Sequence, residues 1–273
     1  MNHKRRLSHG LGSWLVVLFL ITSCAPLYTP SATPTVIPTL ATTETESLSV
    51  LFLGNSLTFI NDMPEMFAQL ASSGGHVVEV DMSAQGGLTC ADHATHELTL
   101  EKIAQQAWDF VVLQEQSQVP AIAEERMERM YPAIRLLNAR IGQNGASTIL
   151  FMTWGHRNGL PDAGLQDFAA VQAQIALGHM EIANELGVRV APVGLAWQHA
   201  ISQDAQLGLW RADGIHPSEE GSYLAACVFY AAIYRQSPEG LTYRAGLSGE
   251  TARFLQTIAA TIVLENPASW NIP

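Results

Sequence analysis

Leu48-Ser49-Val50-Leu51-Phe52-Leu53-Gly54 opens the folded part of this chain and decides how the rest is read. The run is apolar at both alternations, and Gly54 stops it. A strand with one wet face would alternate, so the pattern predicts a strand buried on both faces, as in a parallel sheet. Met63, Met66, Phe67 and Leu70 follow at three- and four-residue spacing, the period of a helix face. The same alternation recurs along the chain. Strands are predicted at residues 76–80, 109–113, 148–152 and 188–192, and helices over 98–107, 124–141, 165–186, 218–234 and 248–264. Right-handed crossovers put such helices on both faces of the sheet. The predicted fold class is α/β, a three-layer αβα sandwich around a five-stranded parallel sheet.

Composition narrows the function classes. The chain has 273 residues, of which 48% are apolar and only 14% charged, enough for one large domain with a sizeable core. The formal net charge is −11. With no basic stripe beyond the first residues, binding to nucleic acid is excluded as repulsive.

Residues 1–23 have the pattern of an export signal. Lys4, Arg5 and Arg6 precede an apolar run from Trp14 to Ile21. That run is too short for a membrane span, which takes roughly 20 residues. Ile21-Thr22-Ser23-Cys24 resembles a bacterial lipobox, which implies lipidation of Cys24 and a protein held to a membrane in the cell envelope, outside the cytoplasm. Residues 24–47 are rich in Pro, Thr and Ser and are expected to be an extended tether. The folded domain is expected over residues 48–273. Of the other cysteines, Cys90 and Cys227 either pair or remain buried free thiols, and the second state is expected.

In a parallel sheet, ligands bind beyond the carboxyl ends of the strands, so the residues directly after each strand carry the functional reading. Gly54-Asn55-Ser56-Leu57-Thr58 follows the first strand. A serine on this turn exposes its hydroxyl beside free helix N–H groups, but it is equally a helix cap. Asp213-Gly214-Ile215-His216-Pro217 stands before the penultimate helix and offers a base with a carboxylate to orient it. Trp154, His156 and Arg157 follow the fourth strand and are candidates to line a substrate pocket, the Trp by stacking on a sugar ring. His93 and His96 have no carboxylate pattern that would complete a metal site, and no metal is expected.

Together, G-N-S-L-T and D-G-I-H-P resemble the SGNH hydrolase superfamily, the GDSL esterases and lipases, over most of the folded part. The resemblance implies an SGNH/flavodoxin-like sandwich and a triad of Ser56, His216 and Asp213. It also implies an oxyanion hole built from the N–H of Ser56, a glycine after the second strand and an amide after the third. Gln85-Gly86-Gly87-Leu88-Thr89 supplies the glycine, with Gly87 matching the family spacing and Gly86 the alternate. The third block departs from the family, because Gln114-Glu115-Gln116-Ser117 stands where an asparagine is usual. Gln116 falls on the asparagine position. The segment also resembles the Q-G-E-S of sialate-type acetylesterases, which implies Gln114 instead.

The resemblance implies hydrolysis of a carboxylic ester without a cofactor. An exported, tethered enzyme would meet acetylated carbohydrates or wall glycans, so O-deacetylation is the expected reaction. Two alternatives stand beside it: a lipase or thioesterase acting on longer acyl chains, and a non-catalytic glycan-binding lipoprotein. No obligate protein partner is evident.

Overall fold

The computed structural model describes residues 15–20 and 47–273. Residues 15–20 form no helix or strand. Cys24, most of the expected signal peptide and nearly all of the expected tether lie outside the described residues. No described helix is long and apolar enough to cross a membrane.

Five strands form one all-parallel sheet: β1 (Ser47–Gly54), β2 (Val77–Ala84), β3 (Phe110–Leu113), β4 (Ser147–Phe151) and β5 (Arg189–Ala191). Their order is β2-β1-β3-β4-β5. The chain leaves β1 toward one edge to make β2, then crosses back to build β3 on the other side of β1. The C-terminal mouth between β1 and β3 is therefore the place where successive connections diverge, and a crevice opens there. The register pairs Leu53 with Leu113, so the residues after β1 and β3 emerge side by side.

Among the described residues ten α-helical segments surround the sheet: α1 (Ser56–Phe59), α2 (Met63–Ser73), α3 (Cys90–His93), α4 (Glu97–Gln105), α5 (Ala123–Glu125), α6 (Tyr131–Gln143), α7 (Phe168–Leu186), α8 (Val193–Gln203), α9 (Glu219–Tyr234) and α10 (Gly249–Leu264). The doubly apolar β1 explains the layering. Val50 and Phe52 face a core shared with α2, α8, α9 and α10, while Leu51 and Leu53 face a second core with α3, α4, α6 and α7. Phe52 meets Phe229 edge to face at 5.3 Å, and Phe151 meets the same ring at 5.0 Å. Truncating Phe229 to Ala would cost about 3–5 kcal/mol by loss of burial and the cavity left behind. Cys90 and Cys227 are both buried and free, and belong to the two different cores, so the sheet separates them.

Two stretches differ from the sequence expectation. The helix predicted over residues 124–141 is interrupted by a π-helical turn, Arg126–Met130, which widens the backbone ahead of α6. Helix α8 is absent from that expectation: it starts directly after Pro192, so the apolar run of the short β5 continues into it without a break.

Candidate functional site

The turn after β1 is held from beneath. Asn55 caps α1, its Oδ1 accepting the Leu57 N–H at 3.1 Å while its Nδ2 donates to the Leu88 carbonyl at 2.8 Å. Gln114, fully buried, accepts the Asn55 N–H at 2.8 Å and the Thr58 hydroxyl at 2.9 Å on one oxygen. A Cβ on Gly54 would collide with that same Gln114 oxygen and with Thr58, so only glycine lets the amide reach the turn. On the other side His93 binds the Gly54 carbonyl through Nε2 at 2.9 Å, and the Thr99 hydroxyl through Nδ1 at 2.9 Å. A carbonyl only accepts, so Nε2 carries the proton; burial lowers the imidazole below its ordinary value and keeps it neutral. His93 is therefore a structural brace.

Across the crevice, His216 Nε2 stands 3.0 Å from Ser56 Oγ. His216 Nδ1 is 2.7 Å from Asp213 Oδ2, and the backbone N–H groups of Ile215 and His216 donate to Asp213 Oδ1 at 2.8 and 2.9 Å. Burial disfavours the charged carboxylate, but the hydrogen bonds from His216 and the two backbone N–H groups outweigh it and hold Asp213 down to about 2. Asp213 is thus ionised at neutral pH and fixes the proton on Nδ1, which leaves Nε2 free to accept from the serine hydroxyl.

This loop is anchored by residues far away in the chain. Trp154 Nε1 donates to the Ile215 carbonyl at 2.9 Å, and the Arg157 N–H donates to the Gly214 carbonyl at 2.9 Å. Asn61, in the left-handed region at φ 59°, donates through Nδ2 to the Ser218 carbonyl at 2.8 Å and to Ser222 Oγ at 2.9 Å. Its Oδ1 accepts from Arg211 at 2.8 Å.

Between the two segments lies a cavity of about 440 Å³, whose walls include Ser56, Gly86, Gly87, Gln116, His156 and His216. Gly87 has φ +78°, a conformation that strains other residues. Among the described residues the N–H groups of Ser56 and Gly87 meet no acceptor. The oxygen of the Gln116 side chain accepts from the Gln118 N–H at 2.8 Å, which fixes the amide, and its NH₂ meets no acceptor among the described residues. Ser56, Gly87 and Gln116 thus each carry an unpaired donor, and all three line the cavity. A larger hollow, about 600 Å³, follows the free edge of β2 past Met82 and Leu98; it contains none of Ser56, Asp213 and His216.

Behind the donors sits Glu115, 1% exposed. Its Oε1 accepts the Gln116 N–H at 2.7 Å and the Cys90 N–H at 3.2 Å, and so joins the segment after β3 to the start of α3, which follows the glycine loop. Its Oε2 is buried without a hydrogen-bond partner. Burial raises the carboxyl to about 7 despite those backbone donors.

Three expectations are corrected. Gln114 is not available to an oxyanion: it lies beneath the Ser56 turn, and its Nε2 donates to the Glu115 carbonyl at 2.6 Å. Trp154 does not line the cavity. It is buried and stacked on Trp197 at 3.9 Å and 1°, so neither ring face is open to a sugar. Arg157 is exposed and lies along Gly214, outside the cavity wall. His156 does line it, as do Ser56, Gly86, Gly87, Gln116 and His216. Sequence reasoning misses the roles of Asn61 and Glu115. For Asn61 the one local signal is an Asn-Asp pair that breaks the helical pattern before Pro64.

No family model matches the chain, and no curated protein does. Solved structures do. A protein of Slackia heliotrinireducens assigned to the SGNH hydrolases is 32% identical over 67% of this chain and 97% of its own length, with a TM-score of 0.58. The chain belongs to the SGNH hydrolases. A DUF4886 family protein from Bacteroides uniformis shares the fold of this SGNH hydrolase over 80% of the chain and 95% of its own length, at 18% identity and a TM-score of 0.70. An acetyl xylan esterase, AlAXEase, shares it over 68% of the chain and its whole length, at 13% identity and a TM-score of 0.56. The five-stranded parallel sheet and flanking helices are those expected of this superfamily of ester hydrolases.

Proposed function

We propose that this SGNH hydrolase is a serine esterase that removes short acyl groups, acetyl above all, from a carbohydrate or wall glycan. The observation that carries the reading is the continuous hydrogen-bonded line from Asp213 through His216 to Ser56, 2.7 and 3.0 Å per step. Ser56 Oγ attacks the ester carbonyl as His216 Nε2 takes its proton, and Asp213 stabilises the imidazolium that forms. The tetrahedral oxyanion is received by the N–H groups of Ser56 and Gly87 and the amide of Gln116, each donor being worth about 2.7–4 kcal/mol of barrier. His216 returns the proton to the leaving alcohol. Water then repeats the sequence on the acyl-enzyme and frees the acid.

The cavity of about 440 Å³ suits a short acyl group with a polar alcohol part. Relatives of the fold include an acetyl xylan esterase and an acetyl-xylooligosaccharide esterase, in keeping with an acetylated glycan. The domain beginning at Ser47 is held outside the cytoplasm by lipid on Cys24, following the lipobox pattern Ile21-Thr22-Ser23-Cys24 and the Pro/Thr-rich stretch after it. Replacing Ser56 by Ala tests the chemistry. Hydrolysis of nitrophenyl acetate should drop to the background rate, and undiminished turnover refutes the assignment. Metabolic labelling with a palmitate analogue, lost in Cys24→Ala, tests the anchor.

A further inference from the structure

Ser117 and His156 form a second serine–histidine pair in the cavity that holds Ser56 and His216, with Oγ and Nε2 2.9 Å apart. They lie on the segments that follow two neighbouring strands, β3 and β4. Both are nearly buried, 4% and 8% exposed, yet both lie on the cavity wall. Ser117 is not a second nucleophile, because no carboxylate holds His156 as Asp213 holds His216.

The pair has unused capacity. A hydroxyl offers one donor and two acceptor positions, and a neutral imidazole one of each. Their mutual bond consumes one donor and one acceptor, and neither side chain makes another among the described residues. Burial lowers His156 below its ordinary value, so it is neutral at neutral pH. A polar group this enclosed is costly to leave unpaired when bound substrate displaces water, and favourable to pair. The pair also shares its cavity with His216, the base that returns the proton to the departing alcohol, so the alcohol part of a bound ester is within the same enclosure.

We propose that Ser117 and His156 are a hydroxyl-reading subsite, which binds a free O–H of the alcohol part beside the scissile ester. The substrate class is then partial esters of polyols, in which an esterified carbon neighbours an unesterified one. This inference rests on the esterase reading and sharpens it.

The test compares 2-hydroxyethyl acetate with propyl acetate, which has the same size and differs only in methyl for hydroxyl. Active sites are counted by fluorophosphonate titration, so that a poorly folded variant does not mimic a loss of preference. The wild-type enzyme should favour the hydroxylated ester by roughly tenfold or more in kcat/KM. Ser117→Ala and His156→Phe should bring that ratio to within about twofold of one, while Ser117→Thr, which keeps the hydroxyl, should retain it. A wild-type ratio near one, or a ratio unchanged in both variants, overturns the subsite. Turnover of nitrophenyl acetate without turnover of either alkyl ester also overturns it and leaves the esterase reading standing. No turnover of any of the three overturns both.

Discussion

Asn61 Nδ2 donates to the carbonyl of Ser218 at 2.8 Å, and so ties the end of the Ser56 segment to the end of the His216 segment across 157 residues of chain. The bond is made from a left-handed backbone, which asparagine tolerates better than most residues. The spacing between Ser56 and His216 thus depends on a residue that touches neither.

Replacing Asn61 by Ala removes the tie and strains the turn. We expect kcat on nitrophenyl acetate to fall roughly tenfold to a hundredfold with KM little changed, because a small misplacement of a base costs rate before it costs binding. Thermal unfolding should show a loss of about 1–2 kcal/mol.

The two glutamines after β3 should separate cleanly. Gln116→Ala removes an exposed-side donor and should lower kcat by about 10²–10³ with stability almost unchanged. Gln114→Ala leaves the Asn55 N–H and Thr58 hydroxyl buried without an acceptor, and should cost about 2–3 kcal/mol of stability before any effect on rate is read. Denaturant unfolding and steady-state kinetics on the same samples check both.

Asp213→Asn should keep the loop but release the imidazole tautomer. A fall in kcat of about 10³–10⁴ is expected, read from steady-state kinetics. Because Asp213 is held at about 2, its own titration should not appear in the activity profile above about pH 3.

Glu115 and His179 pull the pH dependence of stability in opposite directions. Glu115 is raised to about 7 in the folded state, so the folded state binds more protons than the unfolded one between pH 4.5 and 7, and stability from this group is lost as pH rises through that window. His179, fully buried and lowered to about 4, binds fewer protons when folded, so its contribution is lost as pH falls from 6.5 toward 4. Cys90, Asp92 and Arg129 surround Glu115 and are unchanged in Glu115→Gln. That variant should therefore gain on the wild type by up to about 3 kcal/mol between pH 4.5 and 7, measured by urea unfolding. A constant difference across pH would contradict a carboxyl raised by burial.

Much of this is legible in the amino-acid sequence. A run apolar at both alternations betrays a two-sided strand, and the end of such a strand is where a parallel sheet opens; that rule alone leads to Ser56, Gly87 and His156. Asp213 and His216 are legible because three residues and a proline confine them to one loop. What stays hidden depends on partners remote in sequence. Gln114 and Gln116 have the same chemistry, and the positions of the Asn55 N–H and the Thr58 hydroxyl decide which one is spent on the turn. Trp154 stands after β4 as a pocket residue should, but α8 delivers Trp197 beneath it, and the pair stacks inward. The Asn-Asp pair at Asn61 marks a break in the helical pattern but not its role, because its acceptor lies in a loop that sequence does not place beside it.

The most direct test of the account is labelling with a fluorophosphonate and mapping the adduct by mass spectrometry. The account predicts one adduct, on Ser56, formed at a rate that collapses in His216→Ala, with Ser117 unmodified. An unreactive wild-type protein, or an adduct on Ser117 in place of Ser56, would contradict it.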